Sequence, residues 1–234
     1  MNNRLASLQR HLSARFSADE VFGLHLTVGA LVLIAMAALF GHIAGEALST
    51  TPLTALDARL AAWFHSHKHS AWTGPMLFIT HWHNTVGILL MTLLAACYLY
   101  RRQTRYWLLA LVLTVPGGML LNVLLKYTFQ RARPSFDEPV VTLATYSFPS
   151  GHTLSATVLY GFVAAYCVCH TRHTGLRVLA VGAACAMIAL VALSRVYLGA
   201  HYLSDVLAAA AEGCAWLAIC ISGVSTWRRA RGRQ

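Results

Sequence analysis

The sequence predicts an all-α, polytopic membrane protein, with six transmembrane helices in one bundle and an amphipathic helix on its outer surface. Three observations predict it. Of the 234 residues, 57% are hydrophobic and only 11% charged, whereas a soluble domain carries about 25% charged residues. The apolar residues gather into runs close to the ~20 residues that a helix needs to cross a bilayer core. The basic residues sit in short groups between those runs, as membrane topology demands. The whole of 1–234 reads as one membrane-embedded domain.

The elements follow in order. The first 23 residues are polar and contain Arg4, Arg10 and Arg15. The apolar run after them is too long for a signal-peptide core and predicts an uncleaved first span over 24–44. Thr51 followed by Pro52 reads as a helix cap and first helical position. Leu53, Leu56, Leu60, Trp63 and Phe64 then share one face, which predicts an amphipathic helix over 52–65 lying on the outer membrane surface. Five more spans are expected at 77–100, 106–125, 153–169, 177–194 and 206–224. The fourth and fifth are short, and helical flanks enclosed by protein would lengthen them.

The net charge is +10, from 18 Lys+Arg against 8 Asp+Glu. With six spans, Arg4, Arg10, Arg15, Arg101, Arg102, Arg105, Arg172, Arg177, Arg228, Arg229, Arg231 and Arg233 all fall on one side. By the positive-inside rule that side is cytoplasmic, so both termini are cytoplasmic. No nucleic-acid partner is expected. The six cysteines (Cys97, Cys167, Cys169, Cys185, Cys214 and Cys220) all lie in apolar runs, where cysteine behaves as a small hydrophobe. Cys167 and Cys169 do not share a helical face, so neither a disulfide nor a metal pair is expected. His65, His67 and His69, with His81 and His83 further on, are read as a solvated outer loop, since no acidic or cysteine ligand accompanies them. Trp63 and Trp82 fit an interfacial aromatic belt.

Three clusters remain on the outer side. They are Lys126 to Arg133-Pro134, then Pro149-Ser150-Gly151-His152, then Ser194-Arg195 to His201 and Asp205. A phosphoryl group carries close to two negative charges and strong acceptor oxygens. Lys126, Arg133 and Arg195 oppose that charge, the arginines with a planar fork and the lysine with a compact point charge. Ser150 offers a hydroxyl, Gly151 a close backbone approach, and the helix behind them a terminus that favours anions. His201 and Asp205 are four apart, on one helical face, so the carboxylate can orient the imidazole for attack. His152 has the chemistry of a proton donor and acceptor near neutral pH. Each residue alone also fits a plainer role: a flanking charge, a turn, a bundle ion pair. Their joint position on one membrane face weighs against that, because intramembrane charge marks function by default.

These clusters resemble the three signature motifs of the type 2 phosphatidic acid phosphatase family, K-x6-R-P, P-S-G-H and S-R-x5-H-x3-D, in order and without substitution. The resemblance implies a lipid phosphate substrate, hydrolysed at the outer face of a bacterial cytoplasmic membrane. It implies that His201 becomes a phosphohistidine, that Asp205 orients it and that His152 handles the leaving-group proton. Lys126, Arg133, Ser150, Gly151 and Arg195 would hold the phosphoryl oxygens, with no metal and no cofactor. Candidate lipids are undecaprenyl diphosphate, phosphatidylglycerophosphate and phosphatidic acid. Transfer of the phosphoryl group to another lipid or sugar shares the first half-reaction, and an anion or lipid transporter is the reading from another class. Glu212 is expected to extend a polar network or to pair with a neighbouring span, Asn122 to position Lys126 from one helical turn away, and Arg131 to contribute electrostatically. Oligomeric state has no readable signal.

Overall fold

The computed structural model describes residues 23–68, 70–137, 140–141 and 144–231. Arg4, Arg10, Arg15, His69 and Arg233 lie outside them. Eight helices are described: α1 (Leu24–Ala47), α2 (Pro52–Ser66), α3 (Ser70–Trp82), α4 (Thr85–Arg101), α5 (Arg105–Phe129), α6 (Gly151–His170), α7 (Thr174–Tyr197) and α8 (Leu203–Arg231). Helices α1, α5, α6, α7 and α8 are each long and apolar enough to cross a membrane, and a sixth crossing exists if α3 and α4 act as one broken span. Helix is the only backbone solution that satisfies every amide inside a bilayer without closing a barrel. Apolar side chains are accordingly exposed along the flanks, among them Leu31, Ile34, Leu94 and Val178.

The expected second span, 77–100, is not one straight helix. It breaks between α3 and α4, and the two pieces are bent by 56°. The cause is local: the Asn84 side chain accepts from the Gly87 amide and so caps a new helix, a role Asn favours over a helix interior. Of the histidines assigned to an outer loop, His65, His67, His81 and His83 belong instead to helices and their ends. His65 stacks on Phe136 with centroids 4.1 Å apart, and His67 stacks on Trp63 at 4.8 Å. His83 is buried at the break, with Nε2 2.7 Å from the Tyr160 hydroxyl.

α5, α6 and α8 pack together, with α4 alongside, around Leu111, Val115, Leu154, Val158, Phe162 and Ala209. α1 packs along α8, and α7 along α6. At the end where α5 and α7 finish and α6 and α8 begin, Phe40, Phe129 and Phe148 form an aromatic knot. Phe148 is fully buried in it. That burial pins the chain just before α6 onto the bundle, since losing a buried phenyl costs about 3–5 kcal/mol. Arg101, Arg102, Arg105, Arg172, Arg177, Arg228, Arg229 and Arg231 gather at the opposite end.

α2 forms where the sequence predicts it, capped by a reciprocal Thr51–Thr54 box with Pro52 at its first turn. Its buried face is different. Asp57 and Ala61 are buried, while Leu56 and Trp63 are exposed. Leu53 packs against the cluster around Phe148, and Phe64 against Met76, Tyr197 and Leu198. The helix therefore lies across the ends of α7 and α8 with a carboxylate at the centre of its inner face.

Candidate active site

The three sequence clusters meet at the Phe148 end of the bundle. A cavity of about 300 Å³ is lined by Lys126, Arg133, Gly151, His152, Arg195 and His201, together with His83, Thr85, Met119, Asn122, Val123, Thr145 and Ser155. Ser150 and Asp205 are fully buried in its wall, where the Ser150 amide donates to the Asp205 carbonyl at 3.1 Å. All eight residues singled out by sequence are thus brought together.

The turn that delivers His201 is built by its own sequence. α7 ends with Gly199 at φ +67. The Gly199 amide donates to the Val196 carbonyl, and the Ala200 amide to the Arg195 carbonyl, each at 3.0 Å. This is a Schellman closure, which needs a left-handed residue at that position. The closure reverses the chain within the five residues separating Arg195 from His201, so both face one cavity. Asp205 then lies in the first turn of α8, and its Oδ2 accepts from the Tyr202 amide at 2.9 Å. An anion there is favoured by the helix N-terminus.

His201 is 2% exposed. Its Nδ1 lies 3.4 Å from Asp205 Oδ2, and its Nε2 3.2 Å from Arg133 Nη1. Arginine can only donate, so Nε2 is the acceptor and Nδ1 carries the hydrogen that faces Asp205. Burial holds the imidazole far below the ordinary histidine range, at about 3; Asp205 opposes this, while Arg195 and Arg133 reinforce it. A neutral ring with a lone pair on Nε2 is the resting form.

Asp205 is fully satisfied. Oδ2 accepts from the Ser147 hydroxyl and the Tyr202 amide, and Oδ1 from Arg131 Nη1 at 2.6 Å. Arg133 is also engaged: Nε donates to the Thr145 carbonyl at 2.6 Å, Nη1 to the Ala200 carbonyl at 2.6 Å, and Nη2 to Thr145 Oγ1 and the Tyr146 carbonyl, each at 3.0 Å. Lys126 Nζ donates to the Tyr146 carbonyl at 2.8 Å. Arg195 differs. Its Nη1 donates to Thr80, but Nε and Nη2 are buried without a hydrogen-bond partner among the described residues. A guanidinium left this way is expensive unless an anion completes it. Gly151 opens the near wall, since a Cβ there would lie 3.3 Å from Asn122 Oδ1.

Two partnerships have no signal in the spacing of the motifs. Arg131 is a structural ion-pair partner, joined to both Asp57 and Asp205. Ser147 supplies a hydroxyl to Asp205. Asn122 donates to Glu212 at 3.0 Å, in keeping with the network expected of Glu212, while Lys126 is held by the Tyr146 carbonyl and not by Asn122. A readable signal existed for Asp57 alone: it is the one acid on the apolar stripe of α2.

The PAP2 superfamily model matches residues 105–229. Phosphatidylglycerophosphatase B of Bacillus subtilis is 37% identical over 123 residues, which are 50% of this chain and 58% of that protein. The chain thus spans little more than half the length of that relative. Decaprenylphosphoryl-5-phosphoribose phosphatase of Mycobacterium tuberculosis is 35% identical over 156 residues, covering 63% and 77%. The crystal structure of a transmembrane PAP2-type phosphatidylglycerolphosphate phosphatase from Bacillus subtilis superposes with a TM-score of 0.73 at 28% identity, over 81% of this chain and 94% of that one. The crystal structure of Aquifex aeolicus LpxE shares the fold, with a TM-score of 0.56 at 18% identity, over 71% and 94%.

Proposed function

The chain belongs to the PAP2 superfamily, and from that premise we propose that it is a membrane phosphatase of lipid phosphates working through a phosphohistidine at His201. The observation that carries the reading is the buried, half-unpaired Arg195 guanidinium in a cavity it shares with His201, His152, Lys126 and Arg133. A phosphoryl group supplies the acceptors that Arg195 Nε and Nη2 lack.

The reaction then runs in two displacements. His201 Nε2 attacks phosphorus, and the bond from phosphorus to the lipid oxygen breaks. His152 gives its proton to the departing oxygen. Water enters, His152 takes back a proton, the hydroxide attacks the phosphohistidine, and inorganic phosphate leaves with His201 restored. Asp205 steadies the imidazole as positive charge develops on it. Lys126, Arg133, Arg195, Ser150, Gly151 and the α6 N-terminus stabilise the equatorial oxygens, and such fixed charge is the main source of rate in phosphoryl transfer. The reading calls for no metal and no cofactor.

A lipid substrate is favoured by where the cavity opens. Val123 lines it and is also 46% exposed on the flank of α5 that faces the membrane. A headgroup can enter sideways while its chain stays among Leu120, Leu124 and Val86, all exposed. The relatives act, by name, on phosphatidylglycerophosphate and on a decaprenyl-linked phosphate. Phosphatidylglycerophosphate, phosphatidic acid and undecaprenyl diphosphate are the classes to try. The basic residues at the far end of the bundle support cytoplasmic termini and a site on the outer face of a bacterial cytoplasmic membrane.

The test is release of inorganic phosphate from those three lipids and a water-soluble phosphomonoester, by the purified chain with a chelator present. His201→Ala should lower kcat by about 10³-fold or more with the fold retained. Near wild-type turnover in that variant sinks the mechanism. Phosphate appearing on a second lipid or sugar would make the protein a transferase instead.

A further inference from the structure

Asp57 is 1% exposed, lies outside the residues matched by the family model, and sits on a surface helix. Its carboxylate accepts from Arg131 Nη2 at 2.9 Å, from the Ser204 amide at 3.0 Å, and from the Ser204 hydroxyl. The other amino nitrogen of Arg131, Nη1, donates to Asp205 Oδ1 at 2.6 Å and to Ser204 Oγ at 2.7 Å. The guanidinium lies 4.4 Å over the Tyr202 ring. One planar fork therefore bridges two buried carboxylates, one on the outer helix and one beside the nucleophile.

The geometry has a consequence for His201. A carboxylate can rotate about its last torsion, and whichever oxygen faces the imidazole sets the ring's orientation. Arg131 occupies Oδ1, which leaves Oδ2 for His201 Nδ1. The fork is held in that plane by Asp57 on one side and Tyr202 beneath. Without Asp57, Arg131 keeps its attraction to Asp205 but loses its fixed direction.

We propose that Asp57 is a positioning residue for phosphoryl transfer, acting on His201 through Arg131 and Asp205 and tying the surface helix α2 to the nucleophile. The proposal rests on the phosphatase reading above. A carboxylate that merely anchored α2 would affect stability and leave the turnover of folded protein alone.

The experiment uses the full chain in detergent micelles, with whichever of the three lipid phosphates the wild type hydrolyses fastest. Asp57→Asn, Arg131→Gln and the double variant are compared for kcat, KM and thermal midpoint. Asp57→Asn should lower kcat by about 10- to 100-fold, the scale on which ångström misplacement acts, with KM within about twofold. The double variant should lose no more than Arg131→Gln alone, because coupled residues are non-additive. A kcat within about twofold of wild type, or losses that multiply in the double variant, overturns the proposal. If Asp57→Asn does not fold, Asp57→Glu keeps the charge on a longer arm; reduced kcat at constant KM supports the relay, and wild-type kcat overturns it. An active wild type, a dead His201→Ala and a fully active Asp57→Asn remove the relay only. A wild type that cleaves none of the lipids removes the phosphatase reading and the relay with it.

Discussion

The two sides of the His201 ring are built on opposite principles. Behind it, Asp205, Arg131, Asp57, Ser147 and Ser204 satisfy one another almost completely. In front of it, Arg195 keeps two buried nitrogens unpartnered among the described residues. A satisfied network in a low-dielectric wall is rigid and costly to open. An unsatisfied charge in a cavity is costly to keep and is relieved by the right anion. The contrast separates residues that fix the His201 ring from a residue that leaves charge free for an anion.

The largest expected effect breaks the rear side. Arg131→Met leaves Asp57 and Asp205 buried without their shared cation. Removing one partner of a buried ion pair costs about 3–5 kcal/mol, so the thermal midpoint in detergent should fall by many degrees. A midpoint matching wild type would mean that the rear network does not hold the fold. The front side should behave differently. Arg195→Lys replaces a fork with a point charge and should cost about 10²-fold in kcat/KM, while stability is kept or improved. Unimpaired hydrolysis, or destabilisation on the scale of Arg131→Met, would erase the distinction.

The smallest effect is in pH. The folded protein holds His201 neutral down to about 3, whereas the unfolded chain takes up that proton near 6.5. The unfolded state thus binds more protons between those values. Stability from this group is complete above about 6.5 and is lost as pH falls toward 3, at no more than about 1.4 kcal/mol per pH unit. His201→Gln should therefore lose less of its thermal midpoint than wild type between pH 6.5 and 4. Parallel curves would place the acid sensitivity elsewhere.

How much of this the sequence revealed follows from the range of each interaction. The helices were legible because apolar run length is a local property, and the eight candidate residues could be picked out because their spacing is. His201 and Arg195 are six apart, and Gly199 between them closes the turn. The break at Asn84 falls in the polar stretch Thr80-His81-Trp82-His83-Asn84-Thr85, yet run length alone does not say whether such a stretch bends a span or is carried through it. Arg131 was hidden because its partners are 74 residues away in each direction along the chain. Asp57 was in plain view on the stripe of α2, but no local rule says which distant cation a buried carboxylate will meet.

Val123, at once cavity wall and membrane-facing side chain, has a kinetic corollary. A substrate that arrives through the flank of α5 is counted per unit of surface, not per litre. The half-saturating quantity is then a mole fraction in the bilayer or micelle. Adding inert detergent at fixed bulk substrate would slow the enzyme by surface dilution alone, and Michaelis constants would compare only at matched lipid ratios.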